Sequence, residues 1–325
     1  MKARRHGTIF ALCVLAALAA PALAQTQKRT PPPVPPPPAA NPDDGKADIA
    51  YGAFQRGMFL TALAEADKRA QQNDPAAMTL LGELYAQGLG VPRDDAKAAD
   101  WYKQAAAHGD RDAMFALAMF NLEGRAGPRN PDEAARLLAA AAKLGHAAAA
   151  YDLGLLYLQG QQFPQDFARA AQLFRQASDA GNADAQYALA AMYKEGRGVP
   201  KDLNEAERLM GLASVAGNVD AMVEFAIAQF NGNGVAKNEV AAAKLMLIAA
   251  RRGSAIAQDR LARILMAGRG MPADATEAVK WHIIAKAGGD SDPDLDAFAA
   301  QQTQQVRDAA EKAAKIWMST LPPRP

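Results

Sequence analysis

From Asp74 to Gly289 the sequence repeats every 36 residues, six times in succession and without insertions. This constrains the fold more than any other feature. A unit that short cannot bury an apolar face alone, so neighbouring units must stack into one continuous core. The stretch Leu81–Asp110, LGELYAQGLGVPRDDAKAADWYKQAAAHGD, shows one period: a helix end, a Gly-rich turn, a second helix and a Gly stop.

Two glycine columns punctuate each unit. Gly88, Gly124, Gly160, Gly196, Gly232 and Gly268 end the first helix. Gly109, Gly145, Gly181, Gly217, Gly253 and Gly289 end the second. Both are places where a helix stops in left-handed backbone, which glycine adopts most readily. Asp94, Asn130, Asp166, Asp202, Asn238 and Asp274 are the N-caps of the second helices. Pro131 stands at the first helical position behind its cap. Glu133, Glu205 and Glu277, three residues after their caps, suit the acidic half of a capping box.

Three alanine columns never vary; they begin at Ala77, Ala98 and Ala105. Larger side chains fill the spaces between them: Leu81, Leu117, Leu153, Leu189, Phe225 and Leu261 in the first helices, and Trp101, Leu137, Leu173, Leu209, Leu245 and Trp281 in the second. Alternating small and large columns let antiparallel helices interlock at close range. Half of the residues are hydrophobic, much of that alanine, and only 6% are aromatic, which suits packed helices better than sheets.

The flanks differ in kind. Lys2, Arg4, Arg5 and His6 precede an apolar run, Ile9–Ala20. As a helix that run spans roughly 18 Å, too short for a bilayer core of about 30 Å. With Ala22-Leu23-Ala24 behind it, residues 1–24 are expected to be a signal peptide cleaved after Ala24, giving a periplasmic protein without membrane insertion. The only cysteine, Cys13, would leave with it, excluding disulfide and thiolate chemistry in the mature chain. Loss of Lys2, Arg4 and Arg5 takes the net charge from +1 to −2, with no electrostatic footprint for nucleic acid.

Residues 25–46 are a Pro-rich linker, in which PPPVPPPP (Pro31–Pro38) is extended polyproline II. Residues 47–73 form a shortened first repeat that breaks near Gly57 and ends at Asn73, in the glycine slot. Residues 290–318 are expected to be capping helices: Asp294–Gln301, then a helix capped by Thr303 and running from Gln304 to about Trp317. Its apolar face is expected at Val306, Ala309, Ala313 and Ile316. Residues 319–325 are a tail.

The unit resembles the Sel-like repeat, a 36-residue relative of the tetratricopeptide repeat. Its first copy carries Ala77, Leu81, Gly82, Tyr85, Gly88, Gly90, Val91, Asp94, Ala98, Trp101, Ala105, Ala106 and Gly109. Other copies depart from it: Asn121 and Gln229 replace the tyrosine, and Ala126-Gly127 replaces Gly-Val. The resemblance implies an all-α, right-handed α-solenoid of stacked antiparallel helix pairs with a concave groove for protein partners. Exported bacterial members of the family include periplasmic regulators of exopolysaccharide synthesis that restrain a membrane sensor kinase, which is one specific alternative. A Cys-rich branch is linked to β-lactam binding. An envelope hydrolase or β-lactam-binding protein is the alternative of another class, but the cysteines of that branch are absent here.

No motif carries chemistry. His108, His146 and His282 form no zinc-binding spacing and read as surface residues at helix ends. The G-x-G pairs follow helices rather than strands and lack a Gly-Lys-Ser/Thr ending, so they are turns rather than phosphate loops. No catalytic residue, cofactor or metal is expected. Function is expected in a non-enzymatic scaffold or adaptor whose groove holds a periplasmic or membrane-associated protein. By analogy with tetratricopeptide arrays, that groove is lined by Thr79, Glu83 and Gln87; Phe115, Met119 and Glu123; Tyr151, Leu155 and Gln159; Tyr187, Ala191 and Glu195; Val223, Ile227 and Asn231; and Asp259, Arg263 and Ala267. The centre of this stripe is apolar and its ends are polar, a common build for partner sites.

Overall fold

The computed structural model describes residues 48–160 and 163–320. The segments read as signal peptide, Pro-rich linker and the end of the tail lie outside the described residues. The described residues form sixteen α-helices and no strand. A short pair comes first, α1 (Ile49–Gln55) and α2 (Phe59–Ala70). Six repeat pairs follow: α3 (Pro75–Gln87) with α4 (Asp95–Ala107), α5 (Arg111–Glu123) with α6 (Pro131–Lys143), and α7 (Ala147–Gln159) with α8 (Phe167–Asp179). The other three are α9 (Ala183–Glu195) with α10 (Leu203–Ala216), α11 (Val219–Asn231) with α12 (Glu239–Arg251), and α13 (Ala255–Ala267) with α14 (Ala275–Ala287). Two helices close the array, α15 (Pro293–Gln301) and α16 (Gln304–Ser319). Each repeat helix packs on its neighbours in the chain, which makes an α-solenoid.

The punctuation residues act as the sequence implies. The glycines ending the first helices have φ between 65° and 75° (Gly268 and Gly196), and those ending the second helices lie between 82° and 104° (Gly145 and Gly217). Asn73, at φ 60°, is the one non-glycine with positive φ among the described residues. The second-helix caps each accept a backbone amide of the first turn, as Asp94 does from Lys97 N at 3.0 Å.

The expected capping boxes do not form. Each cap's own N–H donates instead to a first-helix carbonyl: Asp94 to Tyr85 at 3.0 Å, Asp202 to Tyr193 at 3.0 Å, Asp274 to Leu265 at 3.1 Å, and likewise in the other repeats. That bond closes the two helices of a pair on each other and leaves nothing for a glutamate to bind. Glu133, Glu205 and Glu277 turn outward to Arg136, Arg208 and Lys280.

A further column of caps escaped the sequence reading. Asp74, Asp110, His146, Asn182, Asn218 and Ser254 each follow the inter-repeat turn and cap a first helix.

All three alanine columns are buried. A second buried column of large residues lies one place beyond the Trp101 column: Tyr102, Leu138, Phe174, Met210, Met246 and His282. In the first-helix column Gly82, Ala118, Gly154, Ala190, Ala226 and Ala262, the two glycines lie against the rings of Tyr102 and Phe174. Glycine occurs only where the partner is aromatic. A Cβ on Gly82 would lie 2.5 Å from the Tyr102 ring, and one on Gly154 would lie 2.6 Å from the Phe174 ring.

Close approach also sets the second glycine of a G-x-G turn. A Cβ on Gly198 would stand 2.2 Å from the carbonyl oxygen of Phe167 in the preceding repeat. Arginines tie alternate repeats back in the same place. Arg125 pairs with Asp95 at 2.6 Å and lies 4.0 Å from the Phe120 ring, and Arg269 pairs with Glu239 and lies 4.4 Å from Phe230.

At the C-terminal end α16 packs on α14, standing where a seventh first helix would stand. Its packed face is rotated from the one expected. Ala310 and Ala314 are buried and Trp317 meets Trp281 edge-on at 5.5 Å, whereas Ala309 and Ile316 are exposed. The indole of Trp281, a repeat position, selects the face that carries Trp317. His282 is likewise not a surface residue at a helix end. It lies mid-helix and 3% exposed, with Nε2 at 2.8 Å from Asp296 of α15, whose carboxylate also takes Lys286 at 2.8 Å. It occupies the buried Tyr102 column and therefore points inward.

Candidate functional site

The stripe expected from the sequence lies on the first helices, and contacts between successive repeats join those helices into one layer. Phe115 stacks on His146, the next repeat's cap, with ring centres 4.5 Å apart. The Tyr187 hydroxyl donates to Glu224 of the next first helix at 2.8 Å, and Lys194 reaches the same carboxylate at 3.2 Å. Asn218 donates to Asp184 at 2.7 Å.

Exposure rises across the three columns of the stripe. Thr79, Phe115, Tyr151 and Tyr187 are half-buried, and Val223 and Asp259 are buried. Each of the half-buried four is engaged. Thr79 donates to Pro75 O at 3.0 Å, and Tyr151 packs against Phe174 at 5.6 Å. This column therefore serves packing between units as well as lining the layer. The next column, Glu83, Met119, Leu155, Ala191, Ile227 and Arg263, is half-buried. The last, Gln87, Glu123, Gln159, Glu195, Asn231 and Ala267, is exposed.

Glu83 accepts the Tyr102 hydroxyl at 2.8 Å and a bond from Gln87. Glu195 lies 3.5 Å from Arg197. Arg263 is drawn away to the C-terminal end, where it pairs with Asp292 and, at 3.3 Å, with Asp294. The layer thus presents an apolar middle rimmed by amides and carboxylates.

His146 accepts the Ala149 amide through Nδ1 at 3.1 Å, and its Nε2 lies 3.4 Å from Asp112. Burial, helped by Arg111, pushes its pKa down to about 4, so it is a neutral cap at physiological pH. His108 is exposed at the end of α4. Among the described residues no group of three or more His, Cys, Asp and Glu side chains is placed to hold a metal ion. None of the described helices is long and apolar enough to cross a membrane.

Stacked helix pairs with every recurrent polar residue consumed by capping or turns define a tetratricopeptide-like repeat protein. The particular repeat is the Sel1 repeat, whose family model matches residues 75–110, 111–146, 147–182, 183–218, 219–254 and 255–290, and the chain belongs to that family. Sel1 repeat proteins generally act as non-catalytic protein–protein interaction scaffolds. A Sel1 repeat protein from Oxalobacter formigenes is similar in structure, with TM-score 0.67, 28% identity and coverage of 74% of this chain and 98% of that one. The c5321 protein, a protective antigen of uropathogenic Escherichia coli strains with an SLR fold, aligns at TM-score 0.53 and 24% identity, over 83% of this chain and 67% of that one. No curated protein matches the chain significantly.

Proposed function

We propose that the first-helix layer is the concave groove of an exported, periplasmic, non-enzymatic scaffold that holds a partner protein's segment or domain. The observation that carries this reading is the gradient across the layer. The recurrent residues are spent on structure, whereas the columns that vary from repeat to repeat run from half-buried apolar to exposed polar on one continuous face. Such a face, apolar at its centre and polar at its rim, suits peptide or helix docking. Export rests on the basic and apolar N-terminus with its Ala22-Leu23-Ala24 site.

Cross-linking and mass spectrometry from the native envelope should place a partner against the first helices. Met119→Glu with Ala191→Glu should then abolish capture of that partner with helicity unchanged, while Gln104→Glu on α4 leaves capture intact. Capture unaffected by the double variant refutes the groove. Fractionation tests export: the chain should be released with the periplasm and begin at Gln25.

A further inference from the structure

The two layers of the solenoid differ in charge. The first helices of the six repeats, α3, α5, α7, α9, α11 and α13, carry nine carboxylates against four lysines and arginines. The second helices carry nine against eleven. The whole chain is close to neutral, so the imbalance is one of placement.

Pairing is closer on the second helices, where Asp95, Glu133 and Glu205 meet arginine at 2.6–2.7 Å, than on the first, where Glu224, Glu195 and Asp259 meet a cation at 3.2, 3.5 and 3.9 Å. On the second helices Arg93, joined by Arg125, holds Asp95 at about 2, and Arg269 with Lys237 holds Glu239 at about 2. Arg136 and Arg208 hold Glu133 and Glu205 below the ordinary range. In the first-helix layer four carboxylates, Asp110, Asp112, Asp220 and Asp259, are held up instead. Burial raises Asp110, with Asp112 adding to it, and burial raises Asp112 itself. Asp220 is raised by burial and by Glu224 and Asp184, and Asp259 by burial and by Asp292 and Asp290. Glu207 is the second-helix carboxylate that burial holds up, and its charged neighbours, Lys194 and Glu224, are both on first helices. Asp259 occupies a stripe position, is only 9% exposed, and its Oδ1 accepts no hydrogen bond. Glu123 and Asp220 are exposed, and among the described residues neither forms an ion pair within 4 Å, although Glu123 lies in the field of Arg93.

We propose that the first-helix layer docks a basic, amphipathic protein segment, with apolar side chains on the Phe115–Leu155 middle and lysines or arginines against the flanking carboxylates. The inference rests on the groove reading and adds the partner's chemistry. Although Glu224, Glu195 and Asp259 pair with Lys194, Arg197 and Arg263, nine carboxylates against four lysines and arginines leave the first helices with an excess of negative charge that a cationic segment satisfies and an anionic one opposes.

The test is fluorescence anisotropy of the purified full chain with labelled 12-residue peptides in which leucine and serine alternate with lysine, glutamine or glutamate. The lysine peptide should bind in 50 mM salt, weaken at least tenfold at 300 mM, and exceed the glutamate peptide at least tenfold. A charge removed at ~6 Å in water is worth about threefold, so Glu123→Gln with Asp220→Asn should weaken binding about tenfold. Asp100→Asn, on α4, should change nothing. Glutamate or glutamine peptides that bind as tightly as lysine overturn the charge inference; if Met119→Glu with Ala191→Glu still abolishes their binding, the groove itself stands. Lysine-peptide binding indifferent to Glu123→Gln/Asp220→Asn, or absent at 50 mM salt, also overturns the proposal.

Discussion

Consider Gly154→Ala. In an exposed helix this exchange stabilises by about 1 kcal/mol, because alanine is the better helix former. Here it should do the reverse. Gly154 is within α7, and the new Cβ would sit 2.6 Å from Cε1 of Phe174, whose side chain has no exposed surface. Carbon contacts are comfortable at about 3.5–4.0 Å, so one side must move by roughly 1 Å. Overpacking of that kind costs about 1–3 kcal/mol, leaving a net loss of up to about 2 after the propensity gain. Phe174→Leu alone leaves a void and should cost about 1–2 kcal/mol. The two together recreate the buried Ala118–Leu138 combination of the preceding repeat and should return to within about 1 kcal/mol of the parent. Urea denaturation followed by circular dichroism gives the four stabilities, and amide exchange over α7 and α8 localises the change. A stabilising Gly154→Ala, or single costs that simply add in the double variant, would refute the size-matching argument.

Other consequences follow from the same contacts. His146 is neutral as a cap, with a folded pKa of about 4 against an ordinary 6.5, so between those values the unfolded chain binds the proton more tightly. Its contribution is complete above about pH 6.5 and is lost as the pH falls toward 4, by roughly 2 kcal/mol after allowance for partial solvent access. His146→Asn, which copies the caps at Asn182 and Asn218, should flatten that part of the stability–pH curve. Arg125→Ala removes the clasp to Asp95 and to the Ala86 carbonyl and should cost about 1 kcal/mol, read as faster amide exchange at the junction of the first two repeats. Asn73→Gly, at φ 60°, should be neutral or stabilise slightly, whereas Gly88→Ala, at φ 71°, should cost about 1 kcal/mol or more by thermal denaturation.

The repeat made most of the architecture readable before any coordinates. Period, turn glycines and second-helix caps are local: each depends on backbone angles and hydrogen bonds within a few residues, so residue identity is enough to place them. The first-helix caps were equally local but harder to see, because Asp74, Asp110, His146, Asn182, Asn218 and Ser254 share a role without sharing a side chain. The signal was their constant position just after the inter-repeat turn.

The features that failed were those decided between helices. Glu133, Glu205 and Glu277 have the spacing of a capping box, but the amides they would accept donate to the facing helix. Val306, Ala309, Ala313 and Ile316 make a plausible face, but the docking partner, Trp281, selects the one bearing Ala310, Ala314 and Trp317. The candidate site was legible as a set of positions on the first helices, but its character was not. That Phe115 leans on His146, that Tyr187 is held by Glu224, and that Arg263 is withdrawn to Asp292 depend on which side chain the next repeat brings alongside.

The sequence by itself therefore determined the unit, its number and its stacking, because a 36-residue period with small residues at fixed columns admits no other way to bury its apolar face. Only the tertiary structure decided how the charges are sorted. A carboxylate's surroundings depend on residues some 30 positions away, as with Asp95 and Arg125 or Glu224 and Lys194, and no local pattern shows which cation reaches which carboxylate.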